Sequence, residues 1–353
     1  MQGQSHLLQQ GVYGCIFTSK LQCKKNTTVA VDPAKDTNMG TKVNKLLFID
    51  DANTEIEISQ RINKIPYAKH YFVVSESICE PAASQTEAGL NECTVIEGHS
   101  LTDFRILSIP YGGIDLKQYK PDVSRFSLTY LFSRLVEAGA LMNLFGIVHG
   151  DLHEGNIVID SHGVPRIIDF NISFNIQNRE ETLRKLPHVH NLEIVQESPD
   201  YVLVNAISSQ LDPYQAIDSI ISKKVGLSHI TSILSYRESE MKDDLYEFYK
   251  QSSSVRSGNL MEWFDSHWHT MDSWSIAYMI IQRWKMMLVF PSFMEKLEED
   301  PKKDRMVAVL RKMTNMNPFR RIDCVQALAE WNPSHHLLSL PVAKKWLKSP
   351  HTE

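Results

Sequence analysis

A polar loop between a long helix and two short strands constrains the fold of this chain more than any other feature. Residues 126–146 carry apolar side chains at helical spacing and predict a long helix that ends near Gly146. Two short apolar runs, IVID and PRIIDF, follow and predict strands joined by a turn. The loop HGDLHEGN, residues 149–156, lies between the helix and the first run. We therefore expect the helix before this loop and the strand after it to hold the loop in place.

The polar groups in this segment are those that phosphoryl transfer requires. Asp151 can accept a hydroxyl proton, while Asn156 and Asp169 can hold a divalent metal ion through oxygen atoms. Asp, Asn and Gly are also common in ordinary turns, so a lone Asp-x-x-x-x-Asn pattern would indicate a turn. Because His149, the flanking strands and Asp169 accompany the pattern, the segment favours a phosphoryl-transfer site.

The predicted elements divide the chain into two parts. The first hundred or so residues are predicted as short strands with one helix, at 53–65, whereas the pattern is mostly helical from about residue 200. We therefore expect an α+β fold with a β-rich N-terminal lobe at 1–111 and a helical C-terminal lobe at 112–353. The polar stretch 252–259 is predicted as a surface loop.

Composition excludes several functional classes. The 353 residues are 42% hydrophobic and 22% charged, with a net charge of -5, so we expect a globular protein without a nucleic-acid partner. No apolar run approaches the roughly 18 residues of a membrane span, and the N-terminal residues lack a secretory pattern, so no membrane association is expected. Scattered cysteines, odd in number, predict free thiols and a cytoplasmic location. They are Cys15, Cys23, Cys79, Cys93 and Cys324.

These motifs resemble those of the protein-kinase superfamily. HGDLHEGN is similar to the catalytic loop H-R-D-L-x-x-x-N, and DFN at 169–171 is similar to D-F-G. The resemblance implies a bilobal kinase-like fold that uses ATP and Mg²⁺. It also implies that Asp151 is the catalytic base, that Asn156 and Asp169 bind Mg²⁺, and that His149 braces the loop.

The segment QQGVYGCIF resembles the glycine-rich loop that covers the phosphates of ATP. Gly11 and Gly14 match the last two glycines of that loop and Ile16 takes its valine position, while Gln9 replaces the first glycine. The resemblance implies that these residues, together with Val12, contact the nucleotide.

A strand lysine and a helix glutamate should complete the nucleotide site. In KVNK, Lys45 takes the place of the kinase strand lysine, with Val43 on the same strand face towards adenine. Lys42 lies three residues away and points to the other face, so we prefer Lys45. Glu55 lies beside the apolar stripe of its predicted helix and Glu57 on the polar face. Glu55 is therefore the expected partner of the lysine.

The segment ILSIPYGGIDL, residues 106–116, resembles the hinge between the two kinase lobes. The resemblance implies that Leu107 is the gatekeeper and that Ser108 and Ile109 offer backbone groups to adenine. Asp115 either meets the ribose or is an ordinary turn residue, and the sequence leaves both interpretations open.

Three further segments resemble structural motifs of protein kinases. DSWSIA implies that Asp272 braces the catalytic loop, while SPD and NPFRRI imply a buried ion pair between Asp200 and Arg321. Aminoglycoside- and choline-type phosphotransferases share HGDLHxGN but typically lack these paired elements, so a small-molecule kinase is the main alternative. A pseudokinase scaffold is a second alternative, against which the retained catalytic residues argue.

The chain also departs from the kinase pattern in four ways. Gly150 stands where many kinases have Arg, so we expect no need for activation-loop phosphorylation. His153 replaces the lysine that approaches the γ-phosphate, and Asn171 replaces the Gly of D-F-G, where Asn can tolerate a positive φ. SPD and DSW lie 72 positions apart, which implies a helical insertion at about 201–265. This insertion is expected to dock a substrate or a partner.

The resemblance implies transfer of the ATP γ-phosphate to a Ser or Thr hydroxyl of a protein substrate. The combination of GCIF, HGDLHEGN, SPDY and a long insertion is most similar to divergent serine/threonine kinase-like proteins of large DNA viruses. A viral origin would place the protein in the host cytoplasm or in the virion.

Overall fold

The computed structural model describes residues 7–11, 13–18, 21–32, 41–85, 90–178 and 190–349. The chain forms two compact units: an N-terminal unit of Met1–Ile114 and Val158–Ser173, and a C-terminal unit of Asp115–Ile157 and Phe174–Glu353. The predicted α+β fold, β-rich in the N-terminal region and helical in the C-terminal region, is confirmed.

The N-terminal unit takes in one segment that the sequence assigned to the C-terminal lobe. Residues Val158–Ser173 group with the N-terminal residues. The reason is backbone pairing with the segment around residue 72. Phe72 forms a parallel bridge with Ile167, and the Val73 N–H donates to the Ile167 carbonyl at 3.0 Å. The predicted lobe boundary near residue 111 stays a prediction.

A six-stranded antiparallel sheet forms the frame of the N-terminal unit. Its strands are β1 (Leu7–Gln10), β2 (Gly14–Phe17), β3 (Val29–Ala30), β4 (Lys42–Phe48), β5 (Ser77–Cys79) and β6 (Phe104–Pro110), in the order β1-β2-β4-β6-β5-β3. The register places Lys45 of β4 opposite Ile16 of β2 and Leu107 of β6. At Gly14 an added Cβ would lie 2.0 Å from the Leu46 carbonyl oxygen, so only glycine permits this strand approach.

Helix α1 (Ile49–Ile62) follows β4 directly and packs against the sheet. Asp50 and Asp51 occupy its first turn, where negative charge is favourable beside the unpaired N–H groups. Its buried face includes Ala52, which packs with Leu107 of β6, and Glu55 one turn further along. The helix thereby carries a carboxylate into the core beside β4.

The expectation of free thiols is wrong for four of the five cysteines. Cys15 is bonded to Cys93 and Cys23 to Cys79, while Cys324 is a buried free thiol. Three of the bonded cysteines lie in the apolar core of the N-terminal unit, where the sheet and the segment around residue 93 meet. Spacing along the chain gave no sign of this pairing because the bonded residues are 78 and 56 positions apart. The cytoplasmic location therefore loses one of its two arguments and stays a prediction.

Five short strands follow the six-stranded sheet in two small sheets. They are β7 (Ile114–Asp115), β8 (Ile147–Val148), β9 (Ile157–Ile159), β10 (Pro165–Ile167) and β11 (Phe174–Asn175). One sheet has the order β10-β9-β7, and the other pairs β11 with β8 in antiparallel fashion. The two strands predicted after the loop HGDLHEGN correspond to β9 and β10.

Helices make up most of the described C-terminal unit. They are α2 (Leu128–Leu144), α3 (Pro199–Ser208), α4 (Pro213–Lys223), α5 (Leu227–Leu234), α6 (Glu238–Gln251), α7 (Ser253–Ser257), α8 (Leu260–His267), α9 (Met271–Met287), α10 (Pro291–Glu299), α11 (Lys303–Met313), α12 (Cys324–Trp331) and α13 (Pro341–Trp346). The Ser127 hydroxyl accepts from the Tyr130 N–H and caps α2, which packs against α9 and α12. In the part of the chain that the structure describes, no helix is both long enough and apolar enough to cross a membrane.

The predicted insertion at 201–265 is helical, as expected, and comprises most of α3 together with α4 to α8. It is fastened to the chain beyond it, because Arg320 pairs with Asp244 and Glu247 of α6 and the Arg311 guanidinium lies over the Tyr236 ring. The insertion is thus an integral layer of the C-terminal unit.

The loop predicted at 252–259 is wrong, because Ser253–Ser257 form helix α7. The Ser252 hydroxyl accepts from the Val255 N–H, and Ser252 and Ser254 are both fully buried. Capping and burial therefore override the loop-like composition of this stretch.

Candidate active site

A buried lysine paired with two carboxylates lies in the core of the N-terminal unit. Lys45 Nζ is 2.7 Å from Glu55 Oε2 and 2.6 Å from Asp169 Oδ1. The Ser75 hydroxyl donates to the second Glu55 oxygen at 2.9 Å and orients that carboxylate. Burial lowers the pKa of Lys45, but the attraction of Asp169 and Glu55 outweighs it, so the pKa lies above its usual value. The ammonium group is therefore held in its charged form.

The alternative residues for this pair lie nearer the surface. Lys42 binds Glu76 at 2.7 Å with both side chains about 30% exposed, and Glu57 pairs with Arg61 on the outer face of α1. Lys45 and Glu55 are 6% and 3% exposed. The expected pairing of Lys45 with Glu55 is thus present in the structure.

Asp169 adopts a left-handed backbone conformation that turns its side chain towards the lysine. Its φ is +66°, and its side chain is partly exposed. Asn171, which could tolerate a positive φ, does not adopt one. Asp is one of the residues that tolerates this conformation, and here the ion pair with Lys45 favours it.

The described residues that were expected to cover the phosphates or to form the hinge lie on β2, β4 and β6 and in the turn before β2. The Gly11 N–H donates to the Gly14 carbonyl at 2.9 Å, which closes the turn before β2, and Val12 lies outside the described residues. The other residues of this set are Ile16 on β2, Val43 on β4, and Leu107, Ser108 and Ile109 on β6.

The backbone groups of β6 already take part in the sheet. The Ser108 carbonyl accepts from the Glu76 N–H at 2.8 Å, and Ile109 is paired with Val43. Leu107 is fully buried opposite Lys45. The Ser108 carbonyl, which was expected to face adenine, is therefore already used in pairing between strands.

Asp115 forms an ordinary turn. Its Oδ1 accepts from the Gln118 N–H at 2.9 Å, and its carbonyl accepts from the N–H groups of Gln118 and Tyr119. This geometry matches the turn interpretation of Asp115, and its contact with a ribose stays a prediction.

In the C-terminal unit, a buried aspartate anchors the loop HGDLHEGN. Asp272 Oδ2 accepts from the His149 N–H at 2.8 Å, and its Oδ1 accepts from the Gly150 N–H at 3.1 Å, as the sequence predicted. Gly150 has a φ of +77°, which favours glycine there. The fully buried His149 accepts from the Asp151 N–H through Nδ1 at 3.3 Å. Asp272 and His149 together fix the loop backbone at Asp151.

Three side chains approach the Asp151 carboxylate. Gln196 Nε2 donates to Oδ1 at 2.7 Å, Asn156 Nδ2 donates to Oδ2 at 3.3 Å, and His153 Nε2 lies 3.6 Å from Oδ2. His153 Nδ1 accepts from the Gly155 N–H, which puts the ring proton on Nε2, facing Asp151. Burial raises the pKa of Asp151, but the contacts of His153 and Gln196 lower it below its usual value. The carboxylate is therefore held ionised.

Sequence reasoning missed Gln196 and Arg283. Gln196 lies 45 positions from Asp151, outside any of the motifs. Arg283 Nε binds Glu154 of the loop HGDLHEGN at 2.9 Å in a buried pair, and its guanidinium also donates to the Leu116 carbonyl. A charged residue inside the apolar face of a long helix was the available signal for Arg283.

The expected ion pair of Asp200 with Arg321 is present and fully buried. Arg321 Nη2 lies 2.7 Å from Asp200 Oδ1, with neither side chain exposed. Arg321 Nε donates to the Asn315 carbonyl at 2.9 Å, and its guanidinium lies over the Trp274 ring. This pair ties the start of α3 to the segment before α12.

Within the described ranges, no group of three or more His, Cys, Asp or Glu side chains could hold a metal ion. Mg²⁺ in phosphoryl-transfer sites is usually bound by only one or two protein carboxylates together with substrate phosphates and water. Asp169 and Asn156 each carry an oxygen of this kind.

No protein-family model matches the chain. Over 99 residues, 28% of the chain, it is 27% identical to a probable cell division protein kinase of Encephalitozoon cuniculi (strain GB-M1). The chain covers 31% of the length of that relative. The chain is thus similar to a protein kinase over a limited segment.

Proposed function

We propose that this protein is an ATP- and Mg²⁺-dependent serine/threonine protein kinase. The observation that carries the proposal is the buried Lys45–Glu55 pair with Asp169 on the same ammonium group. A charge buried at this depth requires compensating partners, and a lysine kept positive beside a partly exposed carboxylate suits the binding of nucleotide phosphates.

The residues present fit the nucleotide and the metal. Lys45 would hold the α- and β-phosphates, while Asp169 and Asn156 would each contribute an oxygen to Mg²⁺. The partly exposed Asp169 can exchange its contact with the lysine for one with a cation. When bound, the metal neutralises charge on the phosphate oxygens. Glu55 keeps the lysine in place.

Asp151 would act on the acceptor hydroxyl. Its ionised carboxylate can accept the hydroxyl proton while the hydroxyl oxygen attacks the γ-phosphorus, whose bond to the bridging oxygen breaks so that ADP leaves. Gln196 and Asn156 hold its two oxygens, and His153 supplies an N–H beside them in place of the usual lysine. Asp151 therefore receives the proton and orients the hydroxyl.

A protein acceptor is favoured over a small molecule by two structural features. The buried pair of Asp200 with Arg321 and the bracing of the catalytic loop by Asp272 are typical of protein kinases rather than of aminoglycoside- and choline-type enzymes. Gly150 in place of Arg supports activity without activation-loop phosphorylation. The resemblance to viral kinase-like proteins and the cytoplasmic location stay predictions.

The test is transfer from γ-labelled ATP in the presence of Mg²⁺ to a mixed protein lysate and, separately, to aminoglycosides and small alcohols. We expect label on protein Ser or Thr residues, lost on removal of Mg²⁺ by a chelator. Label on small molecules alone would support the alternative enzyme class. Nucleotide binding without transfer to any acceptor would support a scaffold instead.

A further inference from the structure

A short segment of chain, residues 192–197, runs past Asp151 immediately before α3. Four of its carbonyl groups accept hydrogen bonds from residues distant in sequence: Leu192 from the Val225 N–H (3.0 Å), Ile194 from Lys224 Nζ (2.8 Å), Val195 from Trp274 Nε1 (3.3 Å) and Gln196 from Ser275 Oγ (2.8 Å). The segment has no helix or strand of its own. Its position is therefore set by these outside donors.

Two of these donors come from the insertion. Lys224 and Val225 follow directly after α4, and Lys224 is only 4% exposed. Burying a lysine ammonium is unfavourable unless it finds partners, and here it donates to the Ile194 carbonyl and is attracted by Glu197 and Asp200. Burial nevertheless lowers its pKa to about 8. Lys224 is thus a buried cationic donor to the 192–197 segment.

The far end of the segment reaches the catalytic loop. Gln196 Nε2 lies 2.7 Å from Asp151 Oδ1, while its own carbonyl is bound by Ser275 of α9. The side chain of Gln196 can keep this contact only while the backbone beneath it stays in place.

We propose, on the basis of the proposed function, that Lys224 is a positioning residue of the phosphoacceptor site. It holds the 192–197 segment so that Gln196 fixes one oxygen of the Asp151 carboxylate. The insertion thereby supplies, from within the chain, an anchor for the segment beside the catalytic loop.

The proposed mechanism predicts which kinetic parameter changes when the Lys224 contact is lost. Asp151 must present an oxygen to the acceptor hydroxyl in a narrow range of geometries, and misplacement of a reacting group by about 1 Å can reduce the rate by about a hundredfold. The loss of the Lys224 contact should therefore lower kcat. The KM for ATP should stay unchanged, because Lys45, Glu55 and Asp169 are untouched.

The test compares Lys224→Met, which removes the donor, with Lys224→Arg, which restores one. Lys223→Met is the matched control, since Lys223 is the exposed neighbour at the end of α4. Steady-state kinetics with myelin basic protein as acceptor give kcat and both KM values. Hydrogen exchange of the amides in 192–197 reports on the segment independently of activity.

We expect Lys224→Met to lower kcat by about ten- to a hundredfold. It should also accelerate amide exchange in 192–197 and leave the KM for ATP unchanged. Lys224→Arg should recover most of the loss. Gln196→Leu should lower kcat while amide hydrogen exchange in 192–197 stays normal. This variant keeps the contact with Asp151 testable if Lys224→Met does not fold.

Two results would overturn the inference. If the wild-type protein is active and Lys224→Met retains its kcat, Lys224 has no positioning role although the proposed function stands. If the wild-type protein transfers phosphate to no acceptor, the proposed function fails and this inference fails with it.

Discussion

Lys45 and Glu55 form an ion pair of 2.7 Å between a central strand and the following helix, in the core of the N-terminal unit. Removing one member of a buried pair leaves an uncompensated charge, which typically destabilises a protein by about 3–5 kcal/mol. The third partner, Asp169, moderates this effect at Lys45. Loss of the pair should therefore lower the stability of the protein and, under the proposed function, weaken nucleotide binding.

Glu55→Gln should lower the free energy of unfolding by about 3 kcal/mol and weaken ATP binding, because the lysine loses the carboxylate that orients it. Chemical denaturation and nucleotide titration measure the two effects. Lys42→Met is the control, since its partly exposed pair with Glu76 should contribute about 1 kcal/mol or less. Equal effects of the two substitutions would contradict the assignment of Glu55 as the buried partner of Lys45.

Asp151→Asn should reduce phosphate transfer by about 10²–10⁴-fold while leaving ATP affinity intact, because the amide cannot accept the hydroxyl proton. Transfer assays and nucleotide titration on the same preparation separate the two properties. Asp122→Asn is the matched control, as Asp122 lies exposed in a turn and its carboxylate contacts nearby Ser124 and Arg125. Full activity of Asp151→Asn would exclude the proposed mechanism.

Arg321→Leu should destabilise the C-terminal unit by about 3–5 kcal/mol, because Asp200 would be left buried without its counter-charge. Arg320→Leu, at the adjacent position, removes a half-exposed arginine that pairs with Asp244 and Glu247. It should lower stability by about 1 kcal/mol. Thermal and denaturant unfolding of the two variants would show whether burial produces the difference.

Thiol titration of the denatured, unreduced protein should find one free thiol, Cys324, among the five cysteines. Reduction should lower the stability of the N-terminal unit, with each bond contributing about 4 kcal/mol in the chain-entropy description of loops of 78 and 56 residues. The double variant Cys15→Ser/Cys93→Ser should lose one bond and about half of the effect. Five reactive thiols would contradict the observed pairing.

Burial raises the pKa of Glu197 from 4.5 to about 7. The repulsion of Asp151 also raises this pKa, whereas the attraction of Lys224 lowers it. A carboxyl with a higher pKa in the folded than in the unfolded chain stabilises the fold at low pH and loses that contribution as the pH rises through its folded pKa. Wild-type stability should therefore fall between pH 4.5 and 7 by up to about 3 kcal/mol more than that of Glu197→Gln.

Denaturant unfolding at several pH values measures this difference. Glu193→Gln, at an exposed position of the same segment, should follow the wild-type profile. A wild-type profile parallel to that of Glu197→Gln would show that Glu197 titrates normally in the folded protein.

Residues identified by local periodicity were the most predictable. The strand period of two separated Lys45 from Lys42, and the helical period separated Glu55 from Glu57, because each pattern reports which face of one element is buried. Helix α1 nevertheless spans Ile49–Ile62 rather than 53–65, since it starts directly at the end of β4 without a polar capping residue. The sequence pattern therefore identified the helix but gave no signal for the residue at which it begins.

The sequence by itself determined the α+β class, the loop around Asp151 and the partners Glu55, Asp272 and Arg321, because these follow from motifs and from short-range periodicity. Only the tertiary structure decided the cysteine pairing, the contact of Gln196 with Asp151 and the burial of Lys224 against Ile194. Such contacts join positions that share no period and no motif. Their formation depends on how whole elements pack, which no local pattern of residues encodes.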